Sequence, residues 1–137
     1  MSDPIVFTVR GLPVPQGSTR AFVSGGRARV VSTSAPLAAW RHAIATEARA
    51  AMGDRPTIDG PVAVAADFYL RRPKSAPRRV MHPATKPDVD KLARALLDAC
   101  TGVVFVDDSR VVSLSVGKLY GDAGVDVSIV ELDGGPA

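Results

Sequence analysis

Two segments of the chain repeat their apolar residues at helical spacing, and this limits the folds open to it more than any other feature. Leu37, Trp40, Ile44 and Ala48 form one stripe; Leu92, Ala93, Leu96, Ala99 and Cys100 form the other. Each stripe makes one helix face apolar and leaves it needing a surface to cover. Ser34 is placed to cap the first helix, Pro36 suits its first turn, and Gly53 and Pro56 end it. Pro87 opens the second, which runs to about Cys100 and stops at Gly102. The other apolar runs are rich in β-formers: Ile5–Val9, Pro61–Leu70, Arg110–Leu119 and Val125–Leu132. Alternation puts Val62 and Val64 on one face of their strand, and Val112, Leu114 and Val116 on one face of theirs. Ala21–Val31 reads as a hairpin turning at Gly25-Gly26. The order strand, strand, strand, helix, strand, helix, strand, strand predicts an α+β fold, a mixed β-sheet with two main helices packed on it. The length of 137 residues suits a single domain, over residues 1–132, with 133–137 as a flexible tail.

Composition narrows the chemistry. Apolar residues make up 46% and charged residues 23%, the balance of a globular protein. Cys100 is the only cysteine, so no internal disulfide forms, and its place in a helical stripe predicts a buried small hydrophobe. His42 and His82 are not spaced as a metal pair, which argues against zinc. No run reaches the ~18 apolar residues of a membrane span. The start Met1-Ser2-Asp3-Pro4-Ile5 lacks the basic opening and apolar run of a signal peptide. A soluble, intracellular protein with no membrane partner is expected. No glycine-rich phosphate loop with a following Lys-Ser/Thr and no Gly-x-Ser-x-Gly elbow occurs, which argues against those chemistries; no small-molecule cofactor is expected.

Charge is concentrated rather than large. The formal net charge is +3, but Arg71, Arg72, Lys74, Arg78, Arg79 and Lys86 fall in one stretch without an acid. Pro73, Pro77 and Pro83 interrupt that stretch and predict an irregular, mobile loop over residues 71–86. Such a loop is either a solvated basic surface or an arm that contacts phosphates. Its neighbours favour the arm. Lys86-Pro87-Asp88-Val89-Asp90-Lys91 follows at once, and Asp107-Asp108 comes after the helix.

Asp88 and Asp90 stand where a loop becomes a helix, so their carboxylates can converge, and the positive helix end favours anions there. Helix capping is the ordinary alternative. In Asp107-Asp108 adjacent residues face opposite ways on an extended chain, so one of the two, preferably Asp108, reaches a shared site. A turn is the ordinary alternative there. If both pairs meet, the cluster of carboxylates asks for a hard cation, Mg2+ with Mn2+ as a possible substitute. Such an ion activates water and neutralises a transferring phosphate. Arg94, one turn beyond Asp90, and Lys118 are candidates to stabilise the same charge. Their ordinary roles are an ion pair with Asp90 or Asp98, and a solvated strand lysine.

The composite Lys86-Pro-Asp-Val-Asp-Lys-Leu-x-Arg-x-Leu-Leu-Asp-Ala, then Gly102-Val and Asp107-Asp108-Ser-Arg-Val-Val, ending at Lys118, closely resembles the RusA family of Holliday-junction resolvases. Val9-Arg-Gly-Leu-Pro-Val-Pro-Gln-Gly-Ser-Thr-Arg and the Trp40-Arg41 helix resemble the family's N-terminal half. The resemblance implies a RusA-like, magnesium-dependent endonuclease acting as a homodimer on four-way DNA junctions, in the cytoplasm of a bacterial or phage-infected host cell. It points to Asp88, Asp90 and Asp108 as metal ligands, with Asp107 beside them, and to a phage or prophage origin. Arg20 and Lys91 join the basic loop as expected DNA contacts. Two positions depart from the family pattern. Lys91 stands where an asparagine is usual, and Arg94 where the family has its catalytic lysine. Arginine keeps the charge but cannot release its proton at working pH. Flaps, forks or other branched DNA, and a non-catalytic branched-DNA-binding role, are the alternatives.

Overall fold

A computed structural model describes residues 3–17, 20–24, 27–31 and 34–133, with side chains for all of these except 20–34. The elements follow in the order β1 (Ile5–Arg10), β2 (Arg20–Ser24), β3 (Arg27–Val31), α1 (Ser34–Met52), β4 (Val62–Leu70), α2 (Val89–Cys100), β5 (Val111–Tyr120) and β6 (Gly124–Glu131). β1, β6, β4 and β5 lie side by side in that order. β6 runs antiparallel to both β1 and β4, while β4 and β5 are parallel. The mixed sheet, the two helices and the α+β class are therefore as expected. β2 and β3 pair with each other as a separate antiparallel ribbon. The Gly25-Gly26 turn, the Ser34 cap side chain and tail residues 134–137 lie outside the described residues. Among the described residues no helix is long and apolar enough to cross a membrane.

Alternation builds one covered sheet face. Ile5, Phe7 and Val9, then Val62, Val64, Ala66 and Phe68, then Val125, Val127 and Ile129 are all buried. The helix stripes close over them. Leu37, Trp40, Ile44 and Ala48 of α1 are buried, and so are Leu92, Ala93, Leu96, Ala99 and Cys100 of α2. Burying a leucine such as Leu92 or Leu96 contributes on the order of 2 kcal/mol. Gly53 ends α1 at φ +55°, a left-handed conformation that costs a glycine least.

One boundary and one register differ from the sequence reading, for local reasons. α2 begins at Val89, because Asp88 keeps extended angles (φ −72°, ψ 137°) as the cap residue; Pro87 therefore lies before the cap. In β5 the register shifts: Val62 pairs with Val111, but Ala63 pairs with Ser113. Val112 is thus the extra residue of a bulge and is 64% exposed. Val111 and Val116 pack against the core instead.

Segment 71–86 holds no helix or strand. Two turns, Ala76 N–H to Pro73 O at 3.0 Å and Val80 N–H to Pro77 O at 3.0 Å, shape it. The Arg72 guanidinium donates to the carbonyls of Val80 (2.6 Å) and Pro77, and lies 5.3 Å from the Tyr120 ring centre.

Candidate functional site

Lys86-Pro87-Asp88 leads from the basic segment into α2, and backbone contacts fix that junction from two sides. Lys118, in β5, donates from Nζ to Thr85 O at 2.7 Å and to Pro87 O at 2.8 Å. Gln16, from the turn-rich stretch after β1, donates its N–H to Lys91 O at 2.9 Å. Pro15, Lys86, Pro87, Asp88 and Lys91 line a cleft of about 310 Å³ here. Asp88 occupies the cap position, yet its carboxylate makes no capping hydrogen bond. Its side chain is 54% exposed, with the Lys91 ammonium at 3.8 Å. Asp90 is exposed in the first turn of the helix. The capping alternative therefore does not account for the Asp88 side chain.

The second acidic pair follows Val103–Val106. Val104 and Phe105 are fully buried. Ile58 N–H donates to Val104 O at 2.8 Å, and Val106 N–H donates to Ile58 O at 2.9 Å. This pins the run and delivers Asp107 and Asp108 to one spot. Asp107 accepts from the Ser109 amide at 3.0 Å and caps a single turn at Asp108–Arg110. Hydrogen bonding from Ser109, through its side chain and its amide, holds the Asp107 carboxyl below the usual carboxylate range. Asp108 Oδ2 accepts from Arg94 Nη1 at 3.1 Å. Arg94 also lies 4.0 Å from Asp98, so it sits between two carboxylates. Arg110 anchors the corner through Asp59 at 2.9 Å. Arg94, Leu97, Asp108, Val111, Val112, Ser113 and Leu114 line a second cleft of about 400 Å³.

These two clefts share no lining residue. Arg94, which holds Asp108, lies four residues along α2 from Asp90, roughly 6 Å of helix rise. Among the described residues no three acidic, histidine or cysteine side chains gather around one point. Carboxylate oxygens suit a hard divalent ion by type. Asp108 pairs with Arg94 in the middle of α2, while Asp88 and Asp90 stand at the helix start.

The model of the endodeoxyribonuclease RusA family matches residues 11–130. The chain belongs to the RusA family. A Bacillus subtilis (strain 168) protein described as uncharacterized protein YqaN is 34% identical to it over 143 residues, spanning 95% of this chain and 98% of that one. RusA proteins are endodeoxyribonucleases that act on branched DNA junctions, and resolvases of this kind generally use divalent metals. The chain is accordingly of a nuclease family.

Within this RusA chain the basic residues divide in two. Arg71, Lys74, Arg78, Arg79, Lys86 and Lys91 are exposed. Arg72 is drawn onto its own loop instead, and the Arg20 side chain lies outside the described residues. Lys118 is the larger surprise, since a solvated lysine or a free cation was expected and its ammonium is held by two carbonyls. Cys100 is buried, which pushes its thiol up to about 12 and leaves it unreactive. Sequence reasoning gave Gln16 no role, and it gave Arg10 none either. Arg10 lines a cleft of about 570 Å³ with Leu12, Arg71 and Asp122. The available hint was the motif around Gln16; nothing in the sequence joins residues 10, 71 and 122.

Proposed function

We propose that the chain is a magnesium-dependent endonuclease, with manganese as a substitute ion, that resolves four-way DNA junctions by paired symmetric phosphodiester cuts in recombination or repair. The observation that carries this is Asp88. It stands at the start of α2 with a carboxylate not spent on capping, beside Asp90 and directly after the basic segment, in a chain of the RusA family. Asp88, Asp90 and Asp108 form the acidic set, with Asp107 next to it. The choice of ion rests on the hardness of carboxylate oxygens. Arg94 and Lys91 balance the acids. Arg20, Arg71, Arg72, Lys74, Arg78, Arg79, Lys86 and Lys91 are the proposed phosphate contacts, which makes binding weaken steeply with salt.

Two symmetric cuts require two equivalent sites, so the working form is a homodimer. Two features support it. Asp88 and Asp108 of one chain line different clefts. Val112 and Leu114, 64% and 43% exposed on edge strand β5, lie beside Asp108. Junction DNA places the activity in the cytoplasm of a bacterial or phage-infected host cell. A phage or prophage origin rests on the family likeness.

The test is magnesium-dependent cleavage of a synthetic four-way junction by wild type and Asp90→Asn side by side. Paired cuts by wild type, lost in the variant with junction binding kept, are expected. A junction that is bound but left uncut overturns the reading. Preferred cutting of flaps or forks redirects it to another branched substrate. One observation favours a second reading, a non-catalytic branched-DNA-binding protein: Asp108 is already neutralised by Arg94. That reading predicts no difference between wild type and Asp90→Asn.

A further inference from the structure

Lys118 sits in β5 opposite Phe68, which is wholly buried. Its stem therefore starts on the face of the sheet that the helices cover, and its ammonium emerges beside the segment entering α2. Two short bonds hold the ammonium there, to Thr85 O at 2.7 Å and Pro87 O at 2.8 Å. These carbonyls belong to a segment with little backbone pairing of its own, since Pro83 and Pro87 have no N–H to give. Only one of the three ammonium hydrogens is left over.

We infer that Lys118 is a positioning residue for the acidic site, acting through the backbone on Asp88. Its bond to Pro87 O sets the peptide plane that leads into Asp88. Asp88 in turn accepts the first helical bond, from Leu92 N–H at 3.1 Å. A clamp on both carbonyls thus decides where the uncapped Asp88 carboxylate points, while the Lys118 charge touches no reacting group. The inference rests on the nuclease reading for its catalytic consequence, although the clamp itself can be read without it.

The experiment compares wild type, Lys118→Met, Lys118→Gln and Lys118→Arg. Four readouts are taken: single-turnover cleavage of a four-way junction with magnesium, junction binding in chelator, melting temperature, and amide exchange at Leu92 and Gln16. Displacing a positioned group by about 1 Å costs on the order of 10- to 100-fold in rate. Lys118→Met is expected to slow cleavage by that order, with binding in chelator unchanged and exchange faster at Leu92 and Gln16. Lys118→Arg, which keeps the donors, is expected to recover most of the rate. A proton-transfer role predicts instead that arginine is as inactive as methionine with exchange unchanged, which overturns the assignment. So does wild-type cleavage by Lys118→Met. Failure of both Lys118→Met and Lys118→Gln to fold, or faster exchange throughout the sheet, makes Lys118 a stability element and also overturns it. If wild type itself leaves the junction uncut, the nuclease reading fails, and exchange at Leu92 and Gln16 still decides the clamp.

Discussion

The two acid-bearing corners of the molecule are built on opposite plans. At the start of α2 the backbone is tied down, by Lys118 on Thr85 and Pro87 and by Gln16 on Lys91. The Asp88 carboxylate there is left without a capping bond. At the Asp107-Asp108 corner the carboxylates do the tying, one capping Ser109 and the other holding Arg94. An acid whose position is set by other groups is available to a ligand at the cost of little more than its exposed Lys91 contact. An acid that is itself the tie must give up a partner first. The difference between the corners therefore separates a carboxylate not used to hold the fold from two that are, although each corner reads in sequence as an aspartate pair.

The largest expected effect tests this contrast directly. Asp88→Asn should lower single-turnover cleavage of a four-way junction by on the order of 100-fold or more, while Asp107→Asn should change it by less than about 10-fold. Equal losses would erase the distinction between the corners. A step smaller, Leu92→Ala should destabilise the fold by about 2–5 kcal/mol, because Leu92 is wholly buried under the first turn of α2. Denaturant unfolding measures it, and a smaller loss would mean that this start is held by its backbone ties rather than by packing. The smallest effect concerns acid. The Asp107 carboxyl is held low in the folded chain, so its contribution is full above the unfolded carboxylate range near pH 4. That contribution is lost as pH falls through the depressed folded value. Melting temperature followed downward in pH should fall less steeply for Asp107→Ala than for wild type, and parallel curves would show that the Ser109 cap does not couple to folding.

Much of the fold was legible because its signals are periodic. Leu37, Trp40, Ile44 and Ala48 recur at a spacing only a helix can use, and all four are buried. The bulge at Val112 was not legible, since alternation along one strand carries no information about the register of its neighbour. The site residues were legible as types. That Asp88 would leave its cap unmade, that Arg94 would choose Asp108 over Asp90, and that Lys118 would spend its ammonium on carbonyls depend on partners far away in the chain. Lys118 and Thr85 are 33 residues apart, and Asp108 and Arg94 are 14.

The sequence by itself determined the α+β layering, the positions of both helices and the aspartate pairs with the family they mark, because these follow from residue type and local spacing. Only the tertiary structure decided how those aspartates are used. The ordering along α2 places Asp108 against Arg94 in mid-helix and Asp88 at the helix start, and the two line different clefts. Side chains meet according to how sheet and helix pack, and no spacing within a single segment encodes that.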